Sequence, residues 1–316
     1  MTAPDGGAER ERVMPLPTGA RICYRIDGPA GGVPLVLVAG LGLDLTAWPA
    51  RLVDQLAAAG FRVVRFDNRD VGRSSAGHGR PPGTARMLFS RPRRDAYTLA
   101  DMADDVYWLL DYLDIGAAHV VGMSMGGMIA QTLAARHPER VVTLTSIFST
   151  TGNPKVGQPA WSTKARLGAR PPRTTDQAVD RHLALLRHIG STTFPPDPAL
   201  ECRWAAGAWI RGAGPRAHEG IARQIGAIQA SGDRTVELRI IAAPTLVIHG
   251  DTDLMVHPSG GRATAVAVPG ARYLEIPGMR HHLTPGVLDR LARVITDHAR
   301  TPQSAGDLGR PAARAE

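Results

Sequence analysis

The sequence predicts an α/β protein, a doubly wound and mostly parallel sheet carrying a helical insertion. Three observations lead there. Short, nearly unbroken apolar runs recur along the chain, as in strands covered on both faces. Helical patterns lie between them, the alternation that connects parallel strands. The rhythm then stops over residues 151–238, where no strand pattern occurs and Pro, Gly and Arg are frequent.

Taken in order, strands are expected at 21–27, 34–39, 62–67, 117–123, 140–147, 244–249 and 272–276. The clearest helix covers 98–114. Met102, Val106, Leu109, Leu110 and Leu113 share one face, Thr98 and Asp101 form a capping box, and Gly116 supplies the stop. A second helix follows Ser124 and ends before Pro138; the last covers 287–298. Helical fragments stand out at 176–189 and 216–230. The expected organisation is a core of 14–150 and 239–300, with a helical cap of 151–238 over the carboxyl edge of the sheet. Polar tails at 1–13 and 301–316 are expected to be disordered.

Composition narrows the function classes. A chain of 316 residues that is 43% hydrophobic is ordinary for a globular protein. No apolar run approaches the roughly 20 residues of a membrane span, and the amino terminus has no apolar signal region. A cytoplasmic protein without a membrane span is expected. Cys23 and Cys202 are the only cysteines, which excludes a disulfide framework and a cysteine metal centre. The net charge of +8 comes almost wholly from arginine, with lysine only at 155 and 164. It forms no stripe with interleaved aromatics, so no nucleic-acid partner is expected. Between Lys155 and Arg239 stand 13 basic and 7 acidic residues. That excess could attract an anion; solvated surface arginine is the plainer reading.

The chemistry centres on His119-Val120-Val121-Gly122-Met123-Ser124-Met125-Gly126-Gly127-Met128, a strand, a tight turn and a helix. A serine hydroxyl needs a base before it attacks. A sharp strand-to-helix turn projects it towards one, and crowding at such a turn calls for glycine on both sides. The following helix aims N–H groups at developing negative charge. The five-residue motif is weak by itself; the strand before it and helix after it make Ser124 the candidate nucleophile.

Such a serine needs a base to take its proton and an acid to orient that base. After the strand ending at Gly250 come Asp251 and Asp253; after the next come His281 and His282. Spacing alone leaves both pairs open. His119, His137 and His249 are read as structural.

Three stretches carry a family resemblance: Phe66-Asp67-Asn68-Arg69-Asp70-Val71-Gly72-Arg73-Ser74, HVVGMSMGGMIAQ, and Ile276-Pro277-Gly278-Met279-Arg280-His281. In this order they resemble the α/β-hydrolase superfamily over about residues 20–300, and within it the branch containing the aclacinomycin methylesterases. The resemblance implies the α/β-hydrolase fold and selects Asp253 and His281. It also implies an oxyanion hole from the backbone N–H groups of Leu41 and Met125, although Ala39 stands where the family has histidine. Arg280 replaces a usual glycine and either contacts substrate or points to solvent. The Asp67–Ser74 turn is taken as structural.

The expected reaction is ester cleavage through an acyl-enzyme on Ser124, with no metal or organic cofactor and a small-molecule ester as partner. A polyketide-tailoring methylesterase, a lactone or thioester hydrolase, carbon–carbon bond hydrolysis and perhydrolase-type chemistry share these residues. A non-catalytic binding protein on the same fold is the remaining class. Met123, Met125, Met279, Arg280, Trp204 and Trp209 are candidates for the substrate pocket, with Trp161 and Phe194 equally placed for packing. Oligomeric state is not legible.

Overall fold

The computed structural model describes residues 11–77, 79–83, 92–167, 170–212 and 214–301. The elements run β1 (Arg12–Pro15), β2 (Arg21–Asp27), β3 (Val33–Val38), α1 (Ala50–Ala58), β4 (Phe61–Phe66), α2 (Leu99–Tyr112), β5 (Ala118–Met123), α3 (Met125–Arg136) and β6 (Val141–Ile147). Five helices follow: α4 (Trp161–Leu167), α5 (Thr175–Ile189), α6 (Pro198–Arg211), α7 (Ala217–Ser231) and α8 (Thr235–Leu238). The chain closes with β7 (Thr245–Gly250), α9 (Ser259–Ala267), β8 (Arg272–Ile276) and α10 (Pro285–Arg300).

The strands form one sheet in the order β1-β2-β4-β3-β5-β6-β7-β8. β1 and β2 pair antiparallel, and β3 through β8 are parallel. β5, β7 and most of β3 are buried on both faces, which explains their unalternated apolar runs. One apolar cluster packs α2 and α3 against one face of the sheet; the other packs α1 and α10 against the opposite face. From β3 the chain steps outwards to β4 and later returns to β5 on the other side. The carboxyl ends of β3 and β5 therefore flank the switch point, where open α/β sheets open a crevice.

Local signals act as expected in α2. Thr98 accepts from the Asp101 N–H, and the Asp101 carboxylate accepts from the Thr98 N–H. The α1 helix was not expected. Its buried residues are only Leu52, Val53 and Leu56, and its caps, Pro49 and Ala59, make no side-chain capping bond.

The amino-terminal boundary is corrected. Arg12 and Val13, placed in the expected tail, open strand β1, with Val13 opposite Cys23. Glu11 pairs with Arg73 and Arg211. Backbone pairing and these ion pairs order a segment too short for periodicity to reveal. Residues 1–10 and 302–316, the rest of the expected tails, lie outside the described residues. Both cysteines are free, and burial pushes the Cys23 thiol up to about 12.

The helices between β6 and β7 contact loops at the carboxyl ends of three strands. Trp204 reaches Thr46 after β3, Arg223 pairs with Asp70 after β4, and Glu201 meets His282 after β8. The last part of this stretch belongs with the core instead: Leu238 is buried in the cluster around α3. Arg234 beneath it donates to the carbonyls of Met128 and Thr150.

Candidate active site

Ser124 stands between β5 and α3 at φ 55° and ψ −121°. A non-glycine residue held there costs about 1–3 kcal/mol and persists only where its surroundings impose it. They do. A Cβ on Gly122 would lie 2.2 Å from the Gly126 carbonyl oxygen, and one on Gly126 would lie 2.0 Å from that of Val38. The Ser124 N–H donates to Ile147 O, and its carbonyl accepts from Gly127, Met128 and the Ser149 hydroxyl.

The hydroxyl meets one imidazole. Ser124 Oγ lies 3.0 Å from His281 Nε2, and His281 Nδ1 lies 2.7 Å from Asp253 Oδ2. Asp253 is 2% exposed; its other oxygen accepts the N–H groups of Met255 and Val256. Burial pushes this carboxyl up, but the charge of His281 and hydrogen bonds from His249 and His281 outweigh it and hold it far below the usual range. An ionised carboxylate facing Nδ1 leaves Nε2 free to take the serine proton.

The competing residues lie elsewhere. Asp251 accepts from the Gly278 N–H and ties its loop to the histidine loop. His282 turns away to Glu201, 2.7 Å distant, which also holds His182 at 2.8 Å. Burial raises the Glu201 carboxyl, but bonds to both imidazoles bring it down to about 2.

Two backbone N–H groups close to Ser124 in the fold donate to no acceptor among the described residues. No hydrogen bond reaches the N–H of Leu41 or of Met125 among the described residues. The first sits in the loop after β3, where a Cβ on Gly40 would stand 3.3 Å from Ser124 Cβ. The second opens α3 directly after the serine.

The pocket candidates need correction. Met279 is 0% exposed and Met123 3%, and both are packed in the cluster beneath the site. Met279 therefore offers no surface to a substrate, and Met123 almost none. Arg280 is half-buried, and its Nη1 donates to the carbonyls of His188 and Gly190. Trp204 stacks on His182 and donates to Thr46. Trp209 is half-buried against Gly214, and Trp161 is exposed beneath Lys164. Phe194 packs on the core cluster beside Gly286.

Two residues that motif reading missed lie against His281 and Asp253 instead. The Phe148 ring lies 4.5 Å from that of His281, on a backbone of φ 37°. His249, read as structural, donates to Val256 O with Asp253 Oδ2 3.5 Å away. A strained aromatic after a strand has no sequence signal, and a buried histidine looks the same whether or not it touches the acid.

A family model described as the alpha/beta hydrolase fold matches residues 33–284. The chain belongs to the α/β-hydrolase family. It is 33% identical over 298 residues to a rhodomycin D methylesterase of Streptomyces sp. (strain C5), covering 86% of this chain and 93% of the relative. A rhodomycin D methylesterase of Streptomyces peucetius is 32% identical over 292 residues, with the same coverage of both chains. Among solved structures, the enol-lactonase from Burkholderia xenovorans LB400 superposes with a TM-score of 0.69 at 28% identity, covering 91% of this chain and 99% of that one. No described helix of this α/β-hydrolase is long and apolar enough to cross a membrane.

Proposed function

We propose that this protein is a carboxylic-ester hydrolase that works through an acyl-enzyme on Ser124. The observation that carries this is the unbroken chain Ser124 Oγ, His281, Asp253, with successive separations of 3.0 and 2.7 Å. His281 takes the hydroxyl proton as Ser124 attacks the carbonyl carbon. Asp253 holds the tautomer that allows it and stabilises the imidazolium without taking the proton. The tetrahedral oxyanion accepts hydrogen bonds from the Leu41 and Met125 N–H groups. His281 returns its proton to the leaving alcohol, then draws one from a water that attacks the acyl-enzyme and passes it to Ser124 Oγ as the bond to the acyl group breaks and the acid leaves. The residues from 151 to about 231 act as the cap that shapes the acyl site.

A narrower reading, a methylesterase that tailors a polyketide, is favoured by the two methylesterase relatives, each matched over 86% of this chain. A panel of p-nitrophenyl esters and methyl esters of bulky aromatic acids tests both. Wild type should turn over the panel, and Ser124→Ala should lose about 10⁴-fold or more in kcat. Turnover by Ser124→Ala near the wild-type rate would remove the assignment. A preference for p-nitrophenyl acetate over every methyl ester would remove the narrower one.

A further inference from the structure

The Leu41 N–H belongs to the peptide joining Gly40 to Leu41, and that peptide is clamped on both sides. Before it, Asn68 Nδ2 donates to the Ala39 carbonyl at 2.9 Å. After it, the Gly42 N–H donates to Gln224 Oε1 at 2.8 Å. Between them, Leu43 N–H donates to Gly40 O at 3.2 Å. In a trans peptide the carbonyl and N–H point in opposite directions. With Gly40 O turned to Leu43, the Leu41 N–H is turned away from it.

Gln224 comes from α7, in the insertion, 182 residues along the chain from Gly42. It is 0% exposed, and its Nε2 donates to Arg69 O at 2.8 Å. The partners decide the orientation of the amide: a flip would set two donors face to face at Gly42 and two acceptors at Arg69. Ile221, one turn earlier on α7, closes on Gly42, where a Cβ would lie 2.9 Å from it. Gly42 itself has φ 68°. Arg223 anchors the same helix to Asp70. Asn68, Arg69 and Gln224 thus form one hydrogen-bonded frame around the oxyanion loop.

We infer that Gln224 is a positioning residue for the oxyanion donor of Leu41, so that the insertion sets catalytic rate as well as substrate fit. The inference rests on the ester-hydrolase reading above. Gln224 touches neither substrate nor Ser124. It acts by fixing the peptide plane next to the donor, and a donor displaced from the oxyanion costs turnover while leaving ground-state binding nearly intact.

The test uses the full chain with Gln224→Met, which keeps length and loses both hydrogen bonds, and Gln224→Glu, whose carboxyl, kept protonated by burial, retains the acceptor at Gly42 and a donor at Arg69. Gln224→Met should lower kcat by about 10- to 100-fold, short of the 10²–10³ for losing a whole donor, with KM changed by less than about threefold. Inhibition by phenylboronic acid, whose tetrahedral adduct places an oxygen in the same hole, should weaken by the same factor. Gln224→Glu should recover most of both. A Gln224→Met enzyme with wild-type kcat and boronate affinity overturns the inference, as does a loss confined to KM or one that Gln224→Glu does not relieve. If the variants do not fold, amide exchange in the wild type decides. Gly42 should be protected, and Leu41 should become protected only with boronate; an unprotected Gly42 overturns the inference. Wild type that cleaves no ester, or Ser124→Ala that cleaves as well as wild type, overturns the reading beneath instead.

Discussion

The turn that holds Ser124 and the loops that face it are positioned by different means. Ser124 is fixed by near neighbours in the chain and by adjacent strands. Gly122 and Gly126 admit backbone where a Cβ would meet carbonyl oxygens of Gly126 and Val38, and Ile147 and Ser149 bind its main chain. The loop carrying His281 and the loop after β3 are held from a distance. The His281 N–H donates to Ile189 O, His282 binds Glu201, and Gly42 binds Gln224, all partners lying in the insertion or at its helix ends. Ser124 thus belongs to the core alone, whereas the geometry it meets is shared between core and insertion. Substitutions in the insertion are therefore expected to change rate and stability without touching the serine.

Four outcomes sharpen or break that division. The largest concerns the base. His281→Ala should abolish labelling of Ser124 by a fluorophosphonate probe, whereas His282→Ala should retain it, because His282 faces Glu201. The reverse pattern would move the base. Next comes Gly126→Ala, whose Cβ would sit 2.0 Å from Val38 O with backbone on both sides. A loss of about 3 kcal/mol or more is expected in denaturant unfolding, and a variant of wild-type stability would show that the turn can relax.

Glu201→Gln comes third. The Glu201 carboxyl is held at about 2 in the fold against an ordinary 4.5. A depressed carboxylate contributes stability above its unfolded value and loses it as pH falls through the folded one. The variant should cost about 1–2 kcal/mol near pH 7, once discounted for solvent at its rim. Its deficit should shrink from pH 4.5 towards pH 2. Thermal melts at pH 7 and pH 3 check the sign; a deficit that grows on acidification would contradict the pairing. The smallest effect is Trp161→Ala. Trp161 is 84% exposed, so stability should change by less than about 0.5 kcal/mol, and kcat/KM by less than twofold. A larger change in kcat/KM would bring α4 into the substrate path.

Much of this was legible beforehand because the relevant physics is local. Unbroken apolar runs announced β3, β5 and β7, since strands buried on both faces have no polar side to show. The Thr98–Asp101 box announced α2, because a cap is written within four residues. β1 escaped, since four residues paired to a neighbour carry no period. Spacing left Asp251 with Asp253 and His281 with His282. The family resemblance chose between them, and in the structure Asp253 and His281 are the pair that meets, while Asp251 caps Gly278 and His282 faces Glu201. The methionines expected in the pocket were misplaced because an apolar residue beside a nucleophile reads alike whether it faces the core or the substrate.

By itself, then, the sequence determined the strand-and-helix rhythm and the glycine-flanked serine turn, because burial patterns and short-range capping are written in residues a few places apart. Only the tertiary structure decided which imidazole meets Ser124, which carboxylate meets that imidazole and that Gln224 grips Gly42. Those contacts join residues 28, 157 and 182 places apart, and packing over such separations leaves no periodic trace along the chain.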